Sequence, residues 1–154
     1  MFQKLRRSFR FAFCGFVFCV RNERNFRIHL CCAAAAYGVG ALFGLERQEY
    51  LVLTIMCALV IMLEMVNTAV EKTVDLASPD YNETAKIAKD VVAGSVLVTA
   101  AASVIVGGIL FIRSDRILNA YNLIIGAPYL LIVFLLFLFL SYIFIKGNAK
   151  NGKL

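Results

Sequence analysis

The chain has 154 residues, 61% of them hydrophobic, with a mean hydropathy of +0.79 and a formal net charge of +6. Such a composition excludes a small soluble domain with a polar surface and predicts an all-α integral membrane protein. A nucleic-acid partner is not expected, because the positive charge gathers where anionic lipid headgroups and phosphates would meet it.

At the N-terminus Phe2, Leu5, Phe9, Phe13 and Phe16 recur at helical spacing, with Arg6, Arg7 and Arg10 between them. This pattern predicts a helix lying in the membrane interface. A signal peptide is the competing reading. Against it, the charged segment 21–27 soon interrupts the apolar stretch, and no small-residue cleavage site follows. Arg21, Asn22, Glu23 and Arg27 are expected at the cytoplasmic mouth of the first span.

Four stretches approach the length needed to cross about 30 Å of hydrocarbon: 29–45, 51–70, 91–112 and 123–145. The first is short and rich in Ala and Gly, which suits close helix packing. With the N-terminus inside, all but Arg47, Arg113 and Arg116 of the 16 Lys and Arg fall on the cytoplasmic side, including Lys146, Lys150 and Lys153. Between the second and third spans lies the one long polar connection, 75–90 (DLASPDYNETAKIAKD). There Ser78-Pro79-Asp80 reads as a turn, and Asn82 or Thr84 starts the next helix.

Glu64 interrupts the apolar run 51–70 and is expected one and a half to two turns above the helix end. From it a polar line continues through Asn67, Glu71 and Asp75. At ~100° per residue these positions point within about 80° of one another, so one helix carries three carboxylates and an amide on a single stripe. A carboxylate in a membrane helix usually faces the protein interior and marks a functional site. Desolvation suits Glu64 to general acid or base work, whereas Glu71 and Glu23, nearer water, suit a hard cation with phosphate oxygens. Asn67 can orient a hydroxyl or a carboxylate. On the residues alone, catalysis, a structural polar seam and an ion-coupled transporter all remain open.

The strings RNERNFRIH (21–29), EMVNTAVEKTVD (64–75) and AKDVVAGS (88–95) resemble the bacterial integral-membrane diacylglycerol kinase family, which includes the undecaprenol kinases of Gram-positive bacteria. The likeness runs in register over about 8–112. It implies a trimeric lipid kinase of the plasma membrane, with an interfacial helix, three spans per subunit and cytoplasmic-face active sites shared between subunits. By that resemblance Glu64 is the proton acceptor for the lipid hydroxyl and Asn67 orders the site. Glu23 and Glu71 hold the Mg²⁺ that bridges the ATP phosphates. Asp80, Tyr81, Asn82, Lys89 and Asp90 contact ATP, joined by Lys4 in place of an Arg, while Asp75 and Arg27 support the site. Phe11 stands where some relatives carry a nucleotide-contacting Tyr.

The chain contains no GxxxxGK[ST] loop, in keeping with an ATP site built from helix ends. The expected organisation is an interfacial helix and mouth over 1–27, a three-helix kinase core over 28–112, and an added span with a basic tail over 113–154. The stretch AKDVVAGS resembles the undecaprenol-kinase branch more than the branch in which Gly-Ser follows almost directly, which implies undecaprenol as acceptor, with diacylglycerol next. A proton-coupled transporter and a non-catalytic assembly subunit are the alternatives from other classes. Cys14, Cys19, Cys31, Cys32 and Cys57 form no CxxC pair and read as reduced packing residues. His29, the single histidine, reads as a headgroup or backbone contact.

Overall fold

The computed structural model describes residues 2–147; Lys150 and Lys153 of the expected basic tail lie outside the described residues. Among the described residues six helices follow one another: α1 (Phe2–Asn22), α2 (Arg24–Phe43), α3 (Arg47–Ala77), α4 (Glu83–Phe111), α5 (Ser114–Gly126) and α6 (Tyr129–Gly147). Among them α2, α3, α4 and α6 are long and apolar enough to cross a membrane. The protein is an all-α membrane protein.

α1 and α2 meet at a single non-helical residue, Glu23 (φ −103°, ψ 114°), so the charged segment 24–27 is the first turn of α2 rather than an irregular mouth. Backbone carbonyls at the elbow are hydrogen-bonded, while the buried Arg27 Nε has no partner among the described residues. Glu23 N–H donates to the Cys19 carbonyl at 2.9 Å, and Arg27, 2% exposed, donates to the carbonyls of Val20 (3.0 Å) and Arg21 (3.2 Å). These acceptors belong to the last turn of α1, which no intrahelical N–H can serve. Phe26 is fully buried beside them and meets Phe16 edge-on at 5.3 Å.

α2 stops at Gly44, whose φ of +65° is the left-handed conformation glycine adopts without a Cβ penalty. α3 then starts from a capping box, in which the Glu46 N–H donates to Glu49 Oε2 at 2.8 Å. At ~1.5 Å per residue α3 is about 46 Å long, well beyond the hydrocarbon thickness. Its final turns, with Glu71 and Asp75, therefore extend past the apolar run, and Glu64 lies about three and a half turns before the helix end rather than the one and a half to two expected, because the helix continues beyond that run.

The polar connection expected over 75–90 is much shorter. α3 continues through Ala77 and α4 begins at Glu83, leaving 78–82 as the turn, with the Asn82 side chain capping α4 by accepting the Ala85 N–H at 3.2 Å. Lys89 and Asp90 thus stand on a helix. α3 packs most extensively against α4 and next against α2. The small apolar core lies near the N-terminal end of α3, where Leu45, Leu53 and Leu110 cluster with Tyr50 and Phe111 around them.

The hydrophobic stretch 123–145 is not one helix. Ala127 leaves helical geometry (φ −142°, ψ 71°) before Pro128, whose ring disfavours the α region for the preceding residue, so the span shifts to 129–147. The preceding α5 is held by Arg116, which donates to the Leu110 carbonyl at 2.6 Å and to both Glu49 oxygens at 2.7 and 2.6 Å. Two of the three cations expected outside, Arg113 and Arg116, are therefore paired with Glu49. No α6 residue is buried, but its last turn touches the elbow, where Arg27 donates to the Ile145 carbonyl at 3.2 Å.

Candidate active site

Glu64 is 5% exposed, a buried carboxylate on α3 that meets α2. The Thr68 hydroxyl, also buried, donates to the Glu64 carbonyl at 3.0 Å. Cys19 of α1 packs beside Thr68, and burial pushes its thiol above the usual range, as befits a packing residue rather than a nucleophile. His29 is the residue that sequence reasoning missed. Contrary to the headgroup contact expected of it, its Nε2 lies 3.1 Å from Glu64 Oε1. A single histidine on an apolar helix carries no local signal for this; only the rotation of α2 against α3 brings the two together.

One turn further along α3, Asn67 Nδ2 donates to Glu71 Oε1 at 2.9 Å, as the shared stripe predicts for positions four apart. The Asn67 Oδ1 is buried and has no hydrogen-bond partner among the described residues. Glu23, at the elbow, and Glu71 are both charge neighbours of Glu64. The fold thus gathers Glu23, Glu64, Asn67 and Glu71 from two separated segments. No group of three or more His, Cys, Asp and Glu suited to a metal occurs among the described residues. That is not a misfit for Mg²⁺, which commonly takes one or two carboxylates together with substrate phosphates and waters.

At the end of α3, Asp75 Oδ1 accepts from Lys89 Nζ at 2.6 Å, joining α3 to α4. Asp90, next on α4, is exposed. In the turn, Asp80 and Tyr81 are exposed, Tyr81 to 85%, and the Asp80 carbonyl accepts from Ser78 Oγ at 3.2 Å. The arrangement is a deep carboxylate held between helices, followed toward the helix end by an amide, a second carboxylate, an ion pair and an open polar turn.

A family model for prokaryotic diacylglycerol kinase matches residues 10–111, from α1 to the end of α4. The chain belongs to that family. It is 45% identical over 106 residues to a diacylglycerol kinase of Synechocystis, the match covering 68% of this chain and 61% of that protein's length. It is 39% identical over 92 residues to the undecaprenol kinase of Bacillus subtilis, covering 60% of this chain and 75% of the relative. No solved structure gives a significant match. α5 and α6 lie outside the family match.

Lys4 and Arg27 complete the residues that the family resemblance assigns to the site. Lys4 is on α1, about 28 Å from Glu23 along the helix axis at ~1.5 Å per residue, so a single chain does not bring it to Glu64. Arg27 spends its terminal nitrogens on three backbone carbonyls, which makes it a support for the elbow that carries Glu23. Phe11 lies under the guanidinium groups of Arg7 and Arg10, at 5.5 and 5.7 Å from its ring centroid. All five cysteines are free, with Cys14 and Cys32 exposed rather than packed.

Proposed function

We propose that the protein transfers the γ-phosphoryl group of ATP to the primary hydroxyl of a membrane lipid, with Glu64 as general base. The observation that carries this reading is the enclosed Glu64 carboxylate on the same α3 face as the Asn67–Glu71 pair, within the matched family region. Glu64 takes the hydroxyl proton, the freed oxygen lone pair forms a bond to the γ-phosphorus, and the bond from phosphorus to the β,γ-bridging oxygen breaks with its electrons going to ADP. Glu64 and Glu71 lie about 10 Å apart along the axis, which leaves room for a hydroxyl and a phosphoryl group between them.

Glu23 and Glu71 would hold Mg²⁺, which neutralises phosphate charge when bound. The unpartnered Asn67 Oδ1 supports this, being an acceptor available to a hydroxyl or to a coordinated water. Tyr81 and Asp80 in the exposed turn, with Asn82, Lys89 and Asp90 beside it, would receive the nucleotide from the cytoplasm. Lys4 would reach such a site only in a neighbouring subunit, which accords with a homotrimer whose sites are shared. Undecaprenol is the acceptor favoured by the likeness of AKDVVAGS to the undecaprenol-kinase branch; diacylglycerol is the competitor, named for the more identical Synechocystis relative.

The test is purified protein in mixed micelles with radiolabelled ATP and Mg²⁺, offered undecaprenol and diacylglycerol separately. One lipid becomes labelled, and Glu64→Gln loses about 10²–10⁴-fold in turnover, the usual contribution of a general base, while remaining folded. A folded oligomer that labels neither lipid defeats the kinase assignment for these acceptors and favours a transporter or an assembly subunit. Full activity in Glu64→Gln defeats the assignment of the base.

A further inference from the structure

The Glu64 carboxylate is buried, yet α3 itself supplies only the Thr68 hydroxyl, and that bonds the Glu64 backbone. Among the described residues the imidazole of His29 is the one donor that reaches the carboxylate, across the α2–α3 interface. A buried carboxylate without a donor is costly, and its flexible side chain has no fixed direction. A protonated imidazole nitrogen donates and a carboxylate oxygen accepts, so a proton on Nε2 would serve Glu64 Oε1 across the 3.1 Å contact.

We propose that His29 is the positioning residue for the base: its Nε2–H holds Glu64 Oε1, leaving Oε2 aimed at the lipid hydroxyl. The role rests on the lipid kinase reading above. His29 touches neither substrate nor phosphate; it acts through Glu64, and it ties the base to α2, whose first turn packs beneath the elbow bearing Glu23. The bond joins the base and the Glu23 segment into one unit, so that the hydroxyl and the phosphoryl group are presented in register. Oε2 is then the oxygen that receives the proton when the hydroxyl oxygen attacks phosphorus.

Two measurements test this independently. In the micelle assay His29→Ala lowers kcat about 10–100-fold with the KM values for ATP and lipid within about twofold, the size of effect expected from misaiming a reacting group by about 1 Å. His29→Gln, whose amide N–H can replace Nε2–H, recovers most of the loss. In a Glu64→Gln background His29→Ala costs nothing further, because groups that act as a unit are not additive. A merely structural histidine would lower both backgrounds alike and would not be rescued by Gln.

Because His29 is the single histidine, ¹⁵N-histidine labelling gives one imidazole to follow by NMR, whether or not any lipid is phosphorylated. The Nε2 resonance is that of a protonated, hydrogen-bonded nitrogen, and it moves in Glu64→Gln but not in Glu49→Gln. If it is unchanged by Glu64→Gln, or if His29→Ala keeps wild-type kcat in an active enzyme, the positioning role is overturned. If the resonance responds but no lipid is labelled, the His29–Glu64 contact stands while the kinase reading and the catalytic role built on it both fall.

Discussion

Replacing Arg27 by Leu tests whether the elbow beneath the active site depends on one buried guanidinium. Arg27 serves three carbonyls, those of Val20 and Arg21 at the end of α1 and that of Ile145 at the end of α6. Leu would fill part of the space but leave all three acceptors without this donor. Each abandoned buried acceptor costs about 1–3 kcal/mol, and with partial rehydration near the membrane surface the expected total is about 3–5 kcal/mol. The chain has no Trp, so unfolding in mixed micelles is best followed by far-UV circular dichroism. A chain ending at residue 126 lacks the Ile145 carbonyl, and there the same substitution should cost about 1–2 kcal/mol less, a coupling typical of direct contact. Arg27→Lys should recover little, since one ammonium cannot reproduce the fork. A loss below about 1 kcal/mol in the full chain, within the range of ordinary surface substitutions, or equal losses in both lengths, would refute the reasoning.

Phe26, fully buried and set edge-on against Phe16, should cost about 3–5 kcal/mol as Phe26→Ala in the same unfolding assay, and much less as Phe26→Leu. Tyr81 is so exposed that Tyr81→Ala should change stability by no more than about 0.5 kcal/mol, yet raise the KM for ATP if the turn receives the nucleotide; an unchanged KM removes Tyr81 from the site. On the other end of the bundle, Arg116→Leu should lower the unfolding midpoint. Exchanging Glu49 and Arg116 should restore it only in part, because the Leu110 carbonyl also depends on Arg116; full restoration would leave the ion pair as the whole interaction.

Much of the site was legible because it lies along one helix. Glu64, Asn67, Glu71 and Asp75 share a face by helical period alone, and the Asn67–Glu71 hydrogen bond is the direct result. The family strings added Glu23 and the turn, and Asn82 was readable as a helix start from its side-chain chemistry. The break before Pro128 was legible in principle from proline's effect on its predecessor, but a continuous hydropathy window concealed it. The long polar connection misled for the opposite reason: Asp75, Lys89 and Asp90 are polar because their helices outrun the hydrocarbon, not because they form a loop.

The sequence by itself determined the membrane class, the four apolar helices, the carboxylate stripe on α3 and the family, since each depends on composition or on order along a single segment. Tertiary structure decided which partners those residues meet. His29 on Glu64, Arg27 on the ends of α1 and α6, and Arg116 on Glu49 all join residues from different helices or across a helix break. Their contacts depend on how one helix is rotated and slid against another. That register comes from the packing of whole faces, so a lone His or Arg in the chain does not disclose it.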